Sequence, residues 1–491
     1  MSVHWPIIRR LASSPSRIAL VDDRRSYRAA EMLVAALHVA SAIEKRSESQ
    51  TVGLLLPTSG AFPIAALAAW SLGRTVVPLN YLLSQEELEF VIDDSGLDTV
   101  ISVGLMLDFL GYTPPRPVIK LEELDFRSFP EPRWPASASA GDLAALLYTS
   151  GTSGKPKGVM LSHGNLSANI NQLVEKVEFN RRDVLMGVLP QFHSFGFTAL
   201  TLAPLTLGFK AVYAARFVPQ QIIRLFREHR PTFFIGIPSM YGALLSVKSA
   251  TPEDFASCRQ LISGGEPLPR DIADRFEQRF GKSIQEGYGL TETSPVSHVN
   301  LPGEHKPGTV GRPVPRLEQR IINPDHEVEC LPGVDGEVRM RGPNIFTGYW
   351  HRPEDTAAAF DREGFFRTGD IGRVDPEGYL SITGRLKEMM IVGGENVFPR
   401  EIEEVLNRHP SVHASGVCGV RDPVRGELPV AFIELEEDAE FDEPALRTHC
   451  RQSLAGYKVP RDIIVVKELP RGPTGKVLRR KLADLLPPDR P

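Results

Sequence analysis

Cysteine is scarce in this sequence of 491 residues, with four cysteines spread along the chain and none in a CxxC spacing. Such cysteines offer neither the ligand cluster of a zinc site nor the framework of a disulfide-stapled domain. They are typical of a reducing compartment, so we expect a cytoplasmic protein. The four are Cys258, Cys330, Cys418 and Cys450.

An excess of one charge is lacking too. The 56 basic and 61 acidic residues give a formal net charge of −5, and the two signs are interspersed. A protein that binds nucleic acid usually carries a basic face, so we expect no nucleic acid partner. The first residues, Met1–Pro6, show no basic segment followed by an apolar one. We therefore predict no secretory signal.

Long apolar runs are missing as well. The longest, from Phe195 to Phe209, is interrupted by Pro204 and closed by Lys210. It is shorter than the roughly 20 residues that cross a bilayer, so no transmembrane segment is predicted. We expect a buried helix here, leading to a strand around Ala211–Tyr213. Peripheral membrane contact stays open as an alternative.

The chain is long enough for two or more hydrophobic cores, and its 42% hydrophobic and 24% charged residues are typical of a globular protein. Up to about residue 140, strand-like and helical patterns alternate. This alternation predicts a parallel sheet with helices on both faces. The segment Pro114–Ala140, rich in Pro, Ser and Ala, is predicted to be a connector with little structure. We predict strands at Ile18–Val21, Val52–Leu56 and Thr75–Leu79, and helices at Ala29–Ile43, Phe62–Leu72 and Ser84–Asp94.

The middle of the chain repeats one design, a buried strand that ends in Gly or Pro. Thr232–Pro238 and Gln260–Pro267 are two examples. Ligands bind at the carboxyl ends of strands in open α/β sheets, so we expect these ends to surround one site. An earlier helix is predicted to have one apolar face, formed by Leu166, Ile170, Leu173, Val174 and Val177.

The last third changes character. From Gly308 to Trp350, short alternating strands predict a small β-rich subdomain. Beyond about residue 384, a separate α+β module is predicted, with a helix that starts at Pro399. Near the C-terminus, a basic helix is expected at Arg479–Lys481.

The most informative stretch is the apolar strand Leu143–Tyr148 and the loop Thr149–Gly158 that follows it. The loop contains three glycines, four hydroxyl groups and two lysines. Glycines let backbone N–H groups converge on an anion, and hydroxyls and lysines add donors and charge, so a phosphate site is predicted. It differs from the mononucleotide P-loop pattern, because Thr149 replaces the first Gly and Pro156 follows Lys155. The alternative is a flexible surface turn.

Five further segments occur after this loop in a fixed order: Ser263–Leu268, Glu286–Thr293, Arg367–Ile371, Gly384–Glu388 and Pro473–Lys476. With the loop, they resemble the adenylate-forming superfamily of acyl-CoA synthetases, aryl-CoA ligases, luciferases and adenylation domains. The resemblance covers nearly the whole chain. It implies an α/β fold: an N-terminal domain (1–383) of layered, mostly parallel sheets and helices with a β-rich subdomain, and a small mobile α+β C-terminal domain (384–491).

The resemblance also implies the chemistry. A carboxylic acid attacks the α-phosphate of ATP to form an acyl-adenylate, and a thiol then takes the acyl group. Because one anion approaches another, cations and oriented dipoles must stabilise the charge. Glu292 is implied as a hard oxygen ligand for Mg²⁺, with Thr149 as a second, and Thr291 as a contact to the α-phosphate. The phosphate-loop residues implied are Thr149, Ser150, Gly151, Thr152, Ser153, Gly154 and Lys157.

The rest of the implied nucleotide site comes from the later segments. Tyr288 would offer a flat face to adenine. Asp370 would accept hydrogen bonds from the ribose hydroxyls, and Arg385 would contact ribose or phosphate. Alone, either would more often form a surface ion pair. The other nucleotide-binding candidates are Gly264, Gly265, Glu266, Pro267, Glu286, Gly287 and Gly289.

Three more residues have implied roles. Lys476, on the turn 472–476, would bridge the α-phosphate and the attacking carboxylate, and is the main catalytic candidate with Thr291 and Glu292. Lys387 would lie at the hinge about which the small domain rotates after adenylation. His193 would lie at the mouth of the acyl pocket, where a supporting role is as plausible as a direct one.

The substrate is expected to be an uncharged-chain acid, because amino-acid adenylation domains have an Asp where this chain has His193. Fatty acids are favoured, although the apolar residues concerned are more often plain core. CoA is the expected acceptor, so ATP, Mg²⁺ and CoA are the expected cofactors. Alternatives are an acyl-[acyl-carrier-protein] synthetase, an aryl-CoA ligase and, more remotely, a non-catalytic nucleotide-binding module. The apolar residues are Phe195, Phe197, Phe233, Phe234 and Ile237.

Overall fold

A computed structural model describes residues 2–149, 155–422, 425–471 and 477–486. The helices are α1 (His4–Ala12), α2 (Ala29–Arg46), α3 (Ala61–Ser71), α4 (Gln85–Asp94), α5 (Gly104–Leu110), α6 (His163–Lys176), α7 (Ala203–Leu207), α8 (Pro219–His229), α9 (Pro238–Leu245), α10 (Arg270–Phe280), α11 (Pro353–Ala358), α12 (Pro399–Leu406) and α13 (Glu443–Ser453). A π-helix, Gly196–Leu202, precedes α7.

The strands are β1 (Ile18–Val21), β2 (Ser26–Arg28), β3 (Thr51–Leu55), β4 (Thr75–Pro78), β5 (Val100–Ser102), β6 (Val118–Lys120), β7 (Leu143–Thr149), β8 (Lys157–Ser162), β9 (Val184–Gly187), β10 (Lys210–Tyr213), β11 (Phe233–Gly236), β12 (Gln260–Ser263), β13 (Gln285–Gly289), β14 (Val296–Val299), β15 (Arg312–Pro313), β16 (Glu318–Asn323), β17 (Val328–Glu329), β18 (Gly336–Arg341), β19 (Gly348–Tyr349), β20 (Phe366–Val374), β21 (Leu380–Arg385), β22 (Met390–Val392), β23 (Glu395–Val397), β24 (Val412–Asp422), β25 (Gly426–Leu435) and β26 (Asp462–Val465).

The first two sheets form the α/β part of the molecule. The first sheet has the order β15-β14-β13-β12-β11-β9-β10-β1-β2, and its strands from β13 to β1 are parallel. The second sheet has the order β19-β8-β7-β4-β3-β5-β6. There, β8 runs antiparallel to β7 and β19 antiparallel to β8, whereas β7, β4, β3, β5 and β6 are parallel.

Helix α3 joins these two sheets into one core. Every residue from Phe62 to Ser71 is buried, as expected for a helix that is apolar all round. The indole N–H of Trp70 donates to the carbonyl of Ala144 on β7, 2.8 Å away. The ring of Phe197, in the π-helix after β9, packs edge-on against both Phe62 and Trp70.

The third and fourth sheets are β-rich. The third, β17-β16-β18-β20-β21, is antiparallel throughout and carries Asp370 and Arg385 on its last two strands. The fourth, β23-β22-β25-β24 with β26 beside β25, lies entirely after residue 389. A hydrophobic core of its own joins this sheet to α12 and α13, from Met390 to Ile463.

The sequence predicted the order of elements well but not all their partners. The strand β1 joins the first sheet, beside β10, and not the second sheet with β3 and β4. Its pattern could not reveal this, because periodicity predicts a strand and not its neighbour. The helix α4 has the predicted cap, with Ser84 and Glu87 forming a capping box.

The connector Pro114–Ala140 has little regular structure, as predicted, apart from β6, which pairs with β5, and a 3₁₀ turn at Leu121–Glu123. Two other predictions of local structure were wrong. Val174 does not belong to the apolar face of α6, since its side chain is exposed. The basic segment Arg479–Lys481 is a single 3₁₀ turn, not a longer helix.

The run from Phe195 to Phe209 is helical and largely buried, as predicted, but its first part is a π-helix. Across the described ranges, none of the helices combines the length and the apolar character that crossing a bilayer requires.

Candidate active site

The predicted phosphate loop connects two antiparallel strands. Strand β7 ends at Thr149 and β8 begins at Lys157, and these two residues face each other in the register. Ser150, Gly151, Thr152, Ser153 and Gly154 lie outside the described residues. The Lys157 ammonium forms an ion pair with Asp355, with 2.9 Å between Nζ and Oδ2. An incoming phosphate would therefore have to compete with that carboxylate.

A 3₁₀ turn, Thr291–Thr293, follows β13 and carries the two residues predicted to act on the α-phosphate and the metal. The Thr291 hydroxyl is buried and donates to Oγ of Ser194 at 3.1 Å. The Glu292 carboxylate accepts a hydrogen bond from the Tyr349 hydroxyl at 2.9 Å. Burial raises the pKa of Glu292, so this carboxylate lies where a cation would stabilise its charge.

Asp370 is the centre of a second contact group. It is 3% exposed and lies on β20, opposite Arg385 on β21. Its Oδ1 pairs with Arg385 Nε at 2.8 Å, and its Oδ2 accepts from the Tyr288 hydroxyl at 2.5 Å. The Asp370 charge raises the pKa of Arg385, and the charges of both also act on the pKa of Glu292. Tyr288, Asp370, Arg385 and Glu292 thus form one electrostatic neighbourhood.

The segments after β12 and along β13 lie side by side, because Ser263 and Glu286 are register partners in parallel strands. Gly264 allows the Phe195 ring to approach, since a Cβ there would lie 3.0 Å from it. Gly289 is required by the backbone, because its Cβ would overlap the carbonyl oxygen of Pro295. Gly265, Glu266 and Pro267 continue from Gly264, and Gly287 lies between Glu286 and Tyr288.

Glu286, like Glu292, is a carboxyl group whose burial raises its pKa. Burial raises its pKa to about 7, while the hydrogen bond from the Leu268 N–H, at 3.2 Å, acts in the opposite direction. The charges of Arg400 and Glu404 on α12 also act on it. Glu286 therefore lies close to the residues that follow the predicted hinge.

His193 and the acyl-pocket candidates separate into two groups. His193 is exposed, and its Nδ1 accepts from the Phe195 N–H at 3.3 Å. Phe195 and Ile237 are partly buried beside Gly264 and Gly265. The remaining residues pack into the hydrophobic cores, which is the alternative that the sequence left open: Phe197, Phe233 and Phe234.

The hinge candidate Lys387 is exposed in a 3₁₀ turn, Leu386–Glu388, directly after β21. Strand β21 crosses the predicted domain boundary and ends at Arg385. The main catalytic candidate, Lys476, lies outside the described residues. Arg479, shortly after it, pairs with Glu388 at 2.6 Å and with Glu403 at 2.5 Å.

Sequence reasoning missed three residues that contact the candidates. Ser194 accepts from Thr291, Tyr349 donates to Glu292, and Asp355 pairs with Lys157. Ser194 could have been found, because it follows His193 in a turn that was already singled out. Tyr349 and Asp355 have no local signal, since Tyr349 lies on β19, which pairs with β8, and Asp355 lies on the following helix, α11.

The comparisons with known proteins agree on the family. The sequence pattern of the family described as AMP-binding enzyme matches residues 8–350, and that of the AMP-binding enzyme C-terminal domain matches residues 401–476. A long-chain-fatty-acid–CoA ligase from Bacillus subtilis is 38% identical over 346 residues, which cover 70% of this chain and 62% of that protein, less than two thirds of its length.

Two further matches extend over almost the whole chain. A feruloyl-CoA synthase from an Amycolatopsis species is 32% identical over 482 residues, 97% of each protein. The ATP-bound crystal structure of MatB from Rhodopseudomonas palustris has a TM-score of 0.90 at 31% identity and covers 99% of both chains. The chain therefore belongs to the AMP-binding enzyme family, in the acyl-CoA synthetase branch of the adenylate-forming superfamily, and is an AMP-forming acid–CoA ligase.

Proposed function

We propose that this ligase activates an apolar carboxylic acid, with fatty acids as the preferred class, and transfers the acyl group to CoA. The observation that carries the proposal is the single neighbourhood of Glu292, Tyr288, Asp370 and Arg385, with Thr291 next to Glu292. It offers an acid for ribose hydroxyls, an acid for a metal, a hydroxyl and a cation, all within reach of one nucleotide.

In the first half-reaction, a carboxylate oxygen of the substrate attacks the α-phosphorus of ATP. The new O–P bond forms as the bond to pyrophosphate breaks. Thr291 donates to the α-phosphate once its hydroxyl proton turns from Ser194 to a phosphate oxygen, and Arg385 offsets the charge that gathers there. Lys157 contacts the leaving pyrophosphate once it exchanges Asp355 for phosphate oxygens.

Magnesium fits the residues present. Glu292 supplies one hard oxygen, Thr149 ends the strand that leads into the phosphate loop, and Mg²⁺ prefers one or two protein ligands together with phosphate oxygens. When bound, the ion would neutralise phosphate charge. The hydrogen bond from Tyr349 to Oε1 leaves the other carboxylate oxygen available for such a ligand role.

In the second half-reaction, the thiol of CoA attacks the acyl carbonyl. A C–S bond forms, the C–O bond to AMP breaks and the thiol proton is lost. We propose that residues 384–491 rotate as a domain about Lys387 between the steps, withdrawing Lys476 from the site. In support, the fourth sheet has its own core, which such a rotation would leave intact.

The choice of an apolar acid rests on Phe195 and Ile237 beside Gly264 and Gly265, and on His193 in place of an acid. A second candidate class is an aryl acid, since the feruloyl-CoA synthase relative matches 97% of this chain. Both classes use the same site and the same two half-reactions. They differ only in the shape that the pocket around Phe195 accepts.

Pyrophosphate release across a panel of acids, with and without CoA, tests the proposal. The panel should contain short, medium and long fatty acids, cinnamic-type aryl acids and amino acids, with an acyl carrier protein as an alternative acceptor. We expect the highest rates with fatty acids, and turnover beyond one equivalent only when CoA is present. A panel in which only amino acids respond would overturn the substrate class, and turnover with carrier protein alone would overturn the acceptor.

A further inference from the structure

Tyr349 lies between two side chains to which the proposed function gives different tasks. Its hydroxyl donates to Oε1 of Glu292 at 2.9 Å, and the Lys157 ammonium lies 5.4 Å from the centre of its ring. One tyrosine therefore contacts both the candidate metal ligand and a candidate phosphate-binding cation. Neither contact was visible in the sequence, because Tyr349 belongs to none of the recognised motifs.

The backbone of Tyr349 is fixed by the strand that begins with Lys157. Strand β19 pairs with β8, with Tyr349 opposite Val159, and the Trp350 N–H donates to the carbonyl of Gly158 at 2.8 Å. On the other side, the Tyr349 N–H donates to Oγ1 of Thr356 at 2.8 Å. The ring and hydroxyl thus project from a backbone held on two sides.

The same segment is also tied to the metal-ligand turn. The N–H of Phe346 donates to the main-chain carbonyl of Glu292 at 2.8 Å, and the rings of Phe346 and Tyr349 meet edge to face. The positions of Glu292 and Lys157 are therefore related through one short stretch of chain. A side chain that bridges them can orient the carboxylate before any nucleotide binds.

We propose that Tyr349 is a positioning residue for the metal–ATP complex: its hydroxyl orients the Glu292 carboxylate and its ring places Lys157 beside the phosphates. This inference rests on the proposed function, in which Glu292 and Lys157 contact the metal and the phosphates. Hydrogen-bond partners of metal ligands typically contribute about 10- to 100-fold to metal affinity. The contact between a cation and an aromatic ring contributes less, about 0.5–1 kcal/mol at exposed sites.

Tyr349→Phe separates the two contacts, because it removes the hydroxyl and keeps the ring. Binding of ATP should be measured by titration calorimetry over a range of Mg²⁺ concentrations and, separately, with EDTA. Mg²⁺ tightens the binding of ATP, and we expect the variant to need an Mg²⁺ concentration about 10-fold higher than wild type, or more, for half of this effect. The affinity for ATP without metal should stay within about twofold of the wild-type value. Tyr349→Leu, which also removes the ring, should weaken metal-free ATP binding by a further twofold to fivefold, about the value of the cation contact.

Tyr379→Phe is the matched control. Tyr379 also donates its hydroxyl, to the carbonyl of Glu304 at 2.8 Å, and also has cations over its ring, Lys306 and Arg312. It does not contact Glu292 or Lys157 in any hydrogen bond or ring contact of the described residues. This variant should keep the wild-type Mg²⁺ dependence, and all variants should melt within about 2 °C of wild type, as mild substitutions usually do.

Glu292→Gln distinguishes the failure of this inference from failure of the proposed function. If Glu292→Gln keeps the wild-type Mg²⁺ dependence, the metal role of Glu292 is wrong, and the role of Tyr349 with it. If Glu292→Gln shifts that dependence and Tyr349→Phe does not, only the inference about Tyr349 is overturned. Equal weakening of ATP binding with and without Mg²⁺ in Tyr349→Phe would also overturn it, because the tyrosine would then support the site in general.

Discussion

The group of Tyr288, Asp370, Arg385 and Glu292, with Thr291 beside it, differs from the turn after β21 in how far its key side chains are removed from solvent. Asp370 and Thr291 are buried, and each is fixed by hydrogen bonds or an ion pair before any ligand is present. Lys387, in contrast, is exposed on a three-residue turn between two sheets. The comparison teaches that binding is built from preorganised contacts, whereas rotation needs only a short turn that can change its backbone angles.

The different burial of the two regions agrees with the functions that we propose for them, nucleotide binding and rotation. In the proposed role, a buried and already paired carboxylate such as Asp370 would bind ribose hydroxyls without first being ordered, so little conformational entropy would be lost when ATP binds. A hinge inside a hydrophobic core would disrupt packing at each turnover. The proposed hinge, Leu386–Glu388, lies outside the core of the fourth sheet, which begins only at Met390.

The largest effect is expected for Lys476→Ala, which should impair adenylation and leave the second half-reaction intact. If this lysine bridges the α-phosphate and the carboxylate, adenylation should fall by about 10³-fold, because a charged donor to the transition state is lost. Thioester formation from supplied acyl-adenylate should stay near wild type. The two half-reactions are measured as pyrophosphate release and as CoA consumption. Equal loss of both would refute the role of Lys476.

The next largest effect is expected at the turn itself, in Lys387→Pro. Proline fixes its own φ and restricts the residue before it, so the turn could no longer adopt a second conformation. Adenylation should stay within about threefold, and thioester formation should fall by about 100-fold, as expected when reacting groups are misplaced. Lys387→Ala is the control, since it removes the side chain and leaves the backbone free. Unimpaired thioester synthesis in Lys387→Pro would contradict the hinge.

Asp370→Asn tests the preorganised side of the comparison. The substitution keeps the size of the side chain but removes the charge that pairs with Arg385 at 2.8 Å. The KM for ATP should rise about 10- to 150-fold, because hydrogen bonds to a charged group contribute about 1.5–3 kcal/mol. The control is Asp335→Asn, an acid directly before β18 that pairs with Arg373 at 3.6 Å. Similar KM values for the two variants would contradict the ribose role.

The smallest expected effect concerns the pH dependence of stability through Glu286. Its folded pKa is about 7, against an ordinary value of 4.5, because burial disfavours the charged form. As pH rises from about 4.5 to about 7, the unfolded state releases this proton first, so the folded state loses stability. Glu286→Gln has no proton to lose. Its melting temperature should exceed that of wild type by about 2 °C at about pH 8 and match it near pH 5.

An exposed acid provides the control for this last experiment. Glu329→Gln, at the end of β17, should show no pH-dependent difference from wild type. A Glu286→Gln variant that is less stable than wild type at about pH 8 would show that the carboxylate is ionised and needed there.

The motifs made much of the site predictable, and the reason is physical. Gly264 and Gly289 lie where a Cβ would collide with a ring or a carbonyl, so such positions leave a glycine signature in the sequence. Likewise, Ser84 and Glu87 predicted the start of α4 because a capping box is local. Sequence signals whose residues lie within a few positions of each other can be recognised from the sequence alone.

Contacts between distant segments were not predictable. Tyr349 meets Glu292 through contacts between segments that are far apart in the sequence, the pairing of β19 with β8 and the hydrogen bond from the Phe346 N–H to the Glu292 carbonyl. Phe233 and Phe234 could have lined a pocket or filled a core, and the structure places them in the core, because an apolar strand has the same sequence pattern in either setting. The sheet to which β1 belongs was hidden for the same reason.

Labelling of the carboxylic acid with heavy oxygen (¹⁸O) tests most directly whether the acid attacks the α-phosphorus of ATP. The acid carries the label in its carboxylate, and the products of a complete reaction with CoA are analysed by mass spectrometry. The proposed mechanism predicts one labelled oxygen in AMP and none in pyrophosphate, because the C–O bond breaks when the thiol attacks the acyl-adenylate. Label in pyrophosphate or in free phosphate, or AMP without label, would contradict it.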